Sequence, residues 1–333
     1  MTLAVVILNW NGRALLEQFL PDLVHFTPKE FADIYVVDNH STDDSVAFVK
    51  ANYPTVKVIE NSDNGGYARG YNEGLKSINA DLYCLINSDV QVTEGWLEPV
   101  IKIFQSQSQT AIIQPKILDY KRPTYFEYAG AAGGFIDRFA YPYCRGRIFD
   151  TLEEDQGQYD DEVDIFWASG ACFFIRSEVF WALGAFDERY FAHQEEIDLC
   201  WRAFNAGYTA KYTPLSTVYH VGGATLNHAH WRKTFLNFRN SLFNIVKNKP
   251  GLFLGLVVVR LLLDGVAGLK FLLEGQPKHT WAIIKAHGSF YMHLKYLIKK
   301  RKKQPNKRLK YASLTNIVFS YFVLKNKTFK SLR

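Results

Sequence analysis

Asparagine and aspartate gather at four points in the first third of the chain: Asn9-Trp10-Asn11-Gly12, Asp38-Asn39-His40-Ser41-Thr42, Asn61-Ser62-Asp63-Asn64-Gly65-Gly66 and Asn87-Ser88-Asp89. Farther along stand two acidic neighbours, Glu195-Glu196, and a histidine, His220, at the end of an extended run. Carboxylate oxygens and an imidazole can hold a divalent cation that bridges phosphates. A separate carboxylate can take the proton of a hydroxyl as it attacks. The chemistry these residues could share is displacement at a phosphate-bearing centre.

Such residues act together only if the chain brings them to one edge. Strands are expected at Leu3–Leu8, Ile34–Val37, Val56–Ile59, Leu82–Ile86 and Ala111–Ile113, each a short β-rich run. Between them, Ala14–Val24, Asp44–Asn52, Tyr67–Ile78 and Trp96–Gln105 carry apolar residues at helical spacing, with Ser41-Thr42-Asp43-Asp44 as an N-cap cluster. This alternation predicts an α/β fold, a mostly parallel sheet flanked by helices. Ligands then bind at the carboxyl ends of the strands, where all four Asn/Asp clusters fall. Gly65-Gly66 before a helix would also allow close backbone approach to an anion. Residues 116–165, punctuated by glycines and aromatics, read as a partly irregular insertion lining the acceptor side. Regular elements resume as a strand at Ala171–Ile175, helices at Ser177–Leu183 and Glu195–Asn205 with Gly207 as C-cap, and extended runs at Thr209–Thr213 and Thr217–Tyr219. A longer helix follows, His228–Lys247, stopped by Pro250.

The chain has 333 residues, 48% of them apolar and 22% charged, which excludes wholesale disorder. Charge is unevenly divided. Residues 251–333 hold 17 basic and 2 acidic side chains, net +15, against 22 basic and 31 acidic, net −9, in the first 250. Two parts are therefore expected, a catalytic domain over 1–250 and a basic amphipathic helical extension over 251–333. In the second, Leu252–Val259 and Leu261–Leu263 are interrupted by Arg260, Asp264 and Lys270 before reaching the ~20 apolar residues a span requires. Trp281–Ile298 and Leu314–Leu324 are further amphipathic runs with lysine-rich flanks, which suit an anionic membrane surface. Packing against the catalytic domain is the alternative. Nucleic acid is not expected as a partner, because no reader motif accompanies the basic runs. The four cysteines, Cys84, Cys144, Cys172 and Cys200, are widely spaced and read as buried free thiols in a reducing compartment. Met1 leads straight into Leu3–Leu8 without a basic n-region or cleavage site, so no secretory signal is expected.

The ordered blocks resemble family 2 glycosyltransferases of GT-A fold. Val5-Val6-Ile7-Leu8-Asn9-Trp10-Asn11-Gly12 is similar to their opening strand and loop, Val36-Val37-Asp38-Asn39-His40-Ser41-Thr42-Asp43 to their second block, and Asn64-Gly65-Gly66-Tyr67-Ala68-Arg69-Gly70-Tyr71-Asn72 to their third. Leu85-Ile86-Asn87-Ser88-Asp89 stands where the family carries Asp-x-Asp, with Asn87 in place of the first aspartate. Ala185–Phe191 with Glu195–Arg202 resembles the acceptor-side block that holds the base, and Tyr219-His220 the late histidine.

The resemblance implies a donor site of Asn9, Asn11, Asp38, Asn64, Arg69, Asn87, Ser88 and Asp89. It implies Mg²⁺ or Mn²⁺ on Asp89 and His220, and an acceptor side that includes Trp167, Gly170 and Ala171. Where the family usually has Glu-Asp this chain has Glu195-Glu196, whose side chains on a helix point about 100° apart and cannot face one atom together. Glu196 is the base by position, and Glu195 remains the alternative. Asp198 is expected to be structural, contacting Arg202 four residues on. The implied function is inverting transfer of a sugar from a nucleotide-sugar donor, of dTDP-rhamnose or UDP-hexose type, as in bacterial rhamnosyltransferases of polysaccharide assembly. The acceptor would be a saccharide or lipid-linked saccharide, and the protein cytoplasmic and peripheral on the inner face of the cell membrane. Two other readings are a catalytically degenerate nucleotide-sugar-binding protein and, disfavoured by the Asn9–Arg13 loop, a sugar-1-phosphate nucleotidyltransferase.

Overall fold

The computed structural model describes residues 1–222, 230–304, 310–312 and 316–332. Strands β1 (Leu3–Asn9), β2 (Ala32–Asp38), β3 (Lys57–Glu60) and β4 (Leu82–Asn87) alternate with helices α1 (Arg13–His25), α2 (Ser45–Asn52) and α3 (Gly66–Leu75). The short β5 (Val90–Val92) precedes α4 (Glu98–Ser106), the long β6 (Thr110–Asp119) and its hairpin partner β7 (Arg122–Phe126). Four short strands follow: β8 (Gly134–Ile136), β9 (Pro142–Cys144), β10 (Arg147–Ile148) and β11 (Thr151–Leu152). The chain then returns through β12 (Val163–Ile165), β13 (Cys172–Arg176), α5 (Ser177–Ala182), α6 (Glu195–Asn205) and β14 (Thr209–His220). Four helices complete it: α7 (Trp231–Asn248), α8 (Leu254–Leu273), α9 (Pro277–Arg301) and α10 (Ile317–Phe322).

The main sheet runs β12-β14-β6-β13-β4-β1-β2-β3, with β5 pairing on β14 and β7 on β6. Its β4-β1-β2-β3 half is parallel throughout, with Ile7 opposite both Val36 and Ile86. β13 enters antiparallel between β4 and β6. β1 and β4 are buried on both faces, so they read as continuous apolar runs, whereas the edge strand β3 is partly exposed. Alternate residues of β4 join separate cores, Tyr83 and Leu85 one, Cys84 and Ile86 the other. All four cysteines are buried free thiols. Gly207, with φ 93°, follows the end of α6 as expected for a C-cap.

Several expectations change in detail. Strand β6 does not stop at Ile113 but continues through Gln114, Pro115 and Lys116, because buried Lys116 finds Asp155 at 2.8 Å and Asp160 at 2.5 Å. Thr209–Thr213 and Thr217–Tyr219 are one strand with an irregularity at Pro214–Ser216. The 116–165 stretch is more ordered than an irregular insertion, since it closes into the β11-β10-β9-β8 sheet. The long helix begins at Trp231, and residues 228 and 229 lie outside the described residues.

The C-terminal region shares its core with the rest of the chain. Val257, Phe290 and Leu297 join the core cluster of the sheet, and Ile317 packs with Tyr143 and Ile148 of the small sheet. Tyr321 Oη lies 2.9 Å from Thr151 Oγ1, and the Phe329 amide donates to Glu153 Oε1 at 2.9 Å. The run expected over Leu314–Leu324 is helical only as α10, and residues 314 and 315 lie outside the described residues.

Candidate active site

The carboxyl ends of β1, β2 and β4 converge. Asp38 at the end of β2 accepts from Asn9 Nδ2 at 2.9 Å, from the Ser41 amide at 2.8 Å and from Ser41 Oγ at 2.6 Å. Asn11, at φ 49°, accepts from the Thr42 amide at 2.7 Å, while its own amide donates to Ser41 Oγ at 2.9 Å. Three of the expected donor residues thus form one knot that ties the first loop to the second. Asp43, next along, receives the Arg13 amide at 3.0 Å and the Ser45 amide at 3.1 Å, capping the starts of α1 and α2 together. A Cβ on Gly12 would collide with Asn9 Oδ1 and stand 3.7 Å from Ser88 Oγ, so the Asn87-Ser88-Asp89 segment lies against the same loop.

Asn64 and Arg69 do different work from the rim. Asn64 Oδ1 accepts from Asn39 Nδ2 at 2.9 Å and the Gly66 amide at 3.0 Å, which shapes the loop. Arg69 pairs with Asp63 at 2.8 Å on the surface. The start of α3, where an anion was expected to approach, is taken by a neighbouring loop. The Phe191 carbonyl accepts from the Tyr67 amide at 2.9 Å, and a Cβ on Gly66 would lie 2.7 Å from the Phe191 ring.

Asp89 and His220 meet because β5 pairs with β14, placing Val90 opposite His220. Asp89 Oδ1 is 3.1 Å from His220 Nε2, and the Asn87 amide nitrogen Nδ2 is 3.5 Å from the same ring atom. On the other side of the ring, Glu127 Oε1 is 3.2 Å from Nδ1. Burial by itself would lower the imidazole pKa, but the Glu127 and Asp89 carboxylates outweigh it and push it up to about 10. Burial likewise favours neutral Asp89, yet the His220 contact and charge hold it below the usual carboxylate value. The arrangement, with imidazole Nε2 beside a carboxylate and Nδ1 backed by a second, is the one that orients a metal-ligating histidine. Hard oxygen with borderline nitrogen fits Mn²⁺ or Mg²⁺. Among the described residues no three His, Cys, Asp or Glu side chains are grouped to hold an ion unaided. Asp89 and His220 are the two side chains here that could hold such an ion together with groups from a substrate. A cavity of about 350 Å³ opens beside Glu127, lined also by Arg122, Tyr128, Asp150 and Gly222.

The acceptor-side block sits across the end of β4. The Asn87 amide donates to the Ala171 carbonyl at 2.9 Å, and the Gly170 carbonyl accepts from Tyr67 Oη at 2.9 Å. A Cβ on Gly170 would stand 3.3 Å from Tyr67 Oη and 3.9 Å from the Glu196 carboxyl carbon. Glu196 is only partly covered and its carboxyl lies beside Gly170, whereas Glu195 is buried and its Oε2 has no hydrogen-bond partner among the described residues. Burial raises the Glu196 pKa to about 7, opposed by the amides at the start of α6. Burial and then repulsion from Glu196 raise Glu195 well above the ordinary value. Trp167, in contrast, is a core residue: its indole donates to the Phe135 carbonyl at 2.8 Å and its ring covers Gly134.

What holds α6 in place is α7. Asn240 Nδ2 donates to the carbonyls of Tyr190, Ala192 and His193, and Asn244 Nδ2 donates to Gln194 Oε1 at 3.1 Å. Asp198 pairs with Arg202 at 2.8 Å, as the spacing predicts, and also with Lys247 at 2.8 Å. The residues that sequence reasoning missed are Glu127, Tyr67 and these asparagines. Each acts through a partner distant in the chain, and only the Tyr67 block lay within a recognisable motif.

The family model for glycosyl transferase family 2 matches residues 4–184. Over 255 residues the chain is 25% identical to N-acetylglucosaminyl-diphospho-decaprenol L-rhamnosyltransferase of Mycobacterium tuberculosis, covering 70% of this chain and 83% of that one. Among solved structures, GalNAc-T7 with UDP, GalNAc and Mn²⁺ superposes with a TM-score of 0.58 at 16% identity, covering 74% of this chain and 48% of the other. S. aureus TarS 1-349 in complex with UDP-GlcNAc gives 0.56 at 13% identity, covering 95% and 100%. At these identities the structural likeness concerns the fold, which is that of GT-A glycosyltransferases.

Proposed function

The chain belongs to glycosyl transferase family 2, and from that premise we propose that it catalyses inverting transfer from a nucleotide sugar of the dTDP-rhamnose or UDP-hexose class. The acceptor is a lipid-linked saccharide presented at the inner face of the cell membrane, and the product enters cell-surface polysaccharide. The single observation that carries this reading is the juxtaposition at the end of β4. Asp89 and His220 stand on one side of Asn87, and the Ala171–Gly170 segment links the other side to Glu196. The mycobacterial relative's name, N-acetylglucosaminyl-diphospho-decaprenol L-rhamnosyltransferase, and the presence of UDP and Mn²⁺ in the GalNAc-T7 structure support the donor, acceptor and metal assignments.

The Asn9–Asp38–Ser41 knot holds the loops that frame the nucleoside. Asp89 and His220 would hold Mg²⁺ or Mn²⁺, which when bound neutralises charge on the departing diphosphate. Glu127 keeps the His220 ring turned so that Nε2 faces Asp89. Glu196 accepts the acceptor hydroxyl proton as that oxygen bonds to the anomeric carbon, and the bond from that carbon to the diphosphate breaks on the opposite face. A pKa near neutrality suits a base that must be ionised yet strong. Gly170 leaves room for the acceptor beside Glu196, and Tyr67 fixes the Gly170 carbonyl.

The test is thermal stabilisation by a panel of nucleotides and nucleotide sugars, with and without Mn²⁺, in the wild type and Asp89→Ala. Metal-dependent stabilisation by one diphosphate class, lost in the variant, is expected. Absence of a shift with every nucleotide would contradict the donor site.

A further inference from the structure

Helix α8 is built inside out. Its inner face carries Arg260 and Asp264, 2% and 0% exposed, while Leu254, Val258, Leu262, Val266, Leu269 and Leu273 on its outer face are between 56% and 80% exposed. The inner polar groups are held by specific partners. Arg260 donates to the Phe139 and Ala140 carbonyls at 2.9 and 3.1 Å and to Ser241 Oγ at 2.6 Å, and its guanidinium lies 3.8 Å from the Tyr141 ring centre. Asp264 Oδ2 faces His287 Nε2 at 3.2 Å. Rolling the helix to hide its apolar row would break these contacts and leave the Phe139 and Ala140 carbonyls and Ser241 Oγ facing apolar side chains. The outward apolar row is thus continuous along the helix, unlike the singly scattered apolar residues of an ordinary surface.

Helix α9 adds a second exposed set. Trp281, Ile284 and Met292 are 56%, 54% and 78% exposed, and Lys285 Nζ lies 5.7 Å from the Trp281 ring and 5.8 Å from that of Trp231. Trp231 opens α7. The starts of α7 and α9 are joined where Thr234 Oγ1 and His279 Nδ1 come within 2.7 Å. Lys233, between Trp231 and Thr234, has its Nζ 5.9 Å from the ring of Tyr128, which lines the cavity beside Glu127, the partner of His220. One edge of the apolar surface therefore adjoins the catalytic rim.

We infer that α8 and the start of α9 are the surface on which this protein lies in the headgroup–acyl boundary of an anionic bilayer, with the Trp231–Trp281 edge carrying the active-site mouth to the lipid. No helix among the described residues is long and apolar enough to cross a membrane, so the contact is in-plane. The charge fits that occupant: residues 251–333 carry 17 basic and 2 acidic side chains, and interfacial helices combine an apolar face with Lys and Arg in this way. A second copy of the chain would bring two such basic regions together, which like-charge repulsion opposes. The inference rests on the membrane-side placement proposed above and not on the transfer chemistry.

The test uses the full chain and vesicles of equal parts phosphatidylcholine and phosphatidylglycerol, with phosphatidylcholine vesicles alongside. The wild type is expected to sediment with the anionic vesicles. The double variant Leu262→Glu, Val266→Glu should partition at least about tenfold more weakly, from the loss of two apolar side chains and gain of two like charges to the lipid. Its circular dichroism, nucleotide-induced stabilisation and transfer to a soluble saccharide should be unchanged, which separates this surface from the donor site. Brominated lipid should quench wild-type tryptophan fluorescence, and less so in Trp281→Phe, a readout independent of the double variant's folding. A wild type that stays with the supernatant, a double variant that binds equally well, or a dimer dispersed by the double variant would overturn the inference.

Discussion

Within one turn of α6 stand acids with opposite fates. Asp198 is fully enclosed and fully answered: Arg202, Lys247, Asn248 and Tyr190 all reach it, and although burial favours its neutral form, the Arg202 and Lys247 charges hold its pKa far below the usual range. Asp187, packed against the same Lys247, is likewise lowered once that charge outweighs its burial. Glu195 and Glu196 have no basic partner among the described residues, and burial raises both. The same residue class on one helix is a structural anchor where cations meet it and a poised proton acceptor where they do not. Unpartnered burial is where a fold keeps chemistry in reserve.

The largest effect that would sharpen this comparison concerns transfer. Glu196→Gln should lower kcat by about 10²–10⁴-fold, the range of general-base contributions, while nucleotide-dependent stabilisation persists. Glu195→Gln, whose side chain is the more buried of the two, should cost far less. Equal activity in both variants would break the assignment. In stability the two groups should differ in sign. Asp198→Ala leaves Lys247 and Arg202 buried with one partner fewer, and should lose about 3–5 kcal/mol by denaturant unfolding. Glu195 has a folded pKa above its ordinary value, so its ionisation opposes folding as pH rises through the range between the two. At neutral pH, Glu195→Gln should therefore raise Tm. A Tm lowered in both variants would mean that Glu195, too, is an anchor.

The parallel half of the sheet was legible because β1, β2 and β4 are apolar-rich runs ended by Asn or Asp, and burial of the central strands on both faces writes that pattern directly. Asp38 with Asn9, Asp89 with His220, and Asp198 with Arg202 were likewise foreseeable from motif order or helical spacing. What could not be read depends on partners far along the chain. Strand β6 runs on through Lys116 because Asp155 and Asp160 wait beside it. Trp167 turns into the core because the Phe135 carbonyl and the bare Gly134 receive it. The start of α3 meets a carbonyl instead of an anion because the Phe191 loop, clamped by Arg239 and Asn240, lies on it. The basic tail was visible as amphipathic, but not which way α8 faces, since its buried side carries Arg260 and Asp264 beside Val257.

The most direct test of the contrast within α6 is the pH dependence of kcat/KM for transfer in the wild type, Glu195→Gln and Glu196→Gln. The wild type and Glu195→Gln should both lose activity as pH falls through an apparent pKa of about 7, the value burial sets for Glu196, and the residual activity of Glu196→Gln should lack that limb. An unchanged limb in Glu196→Gln, or its disappearance in Glu195→Gln alone, would contradict the account.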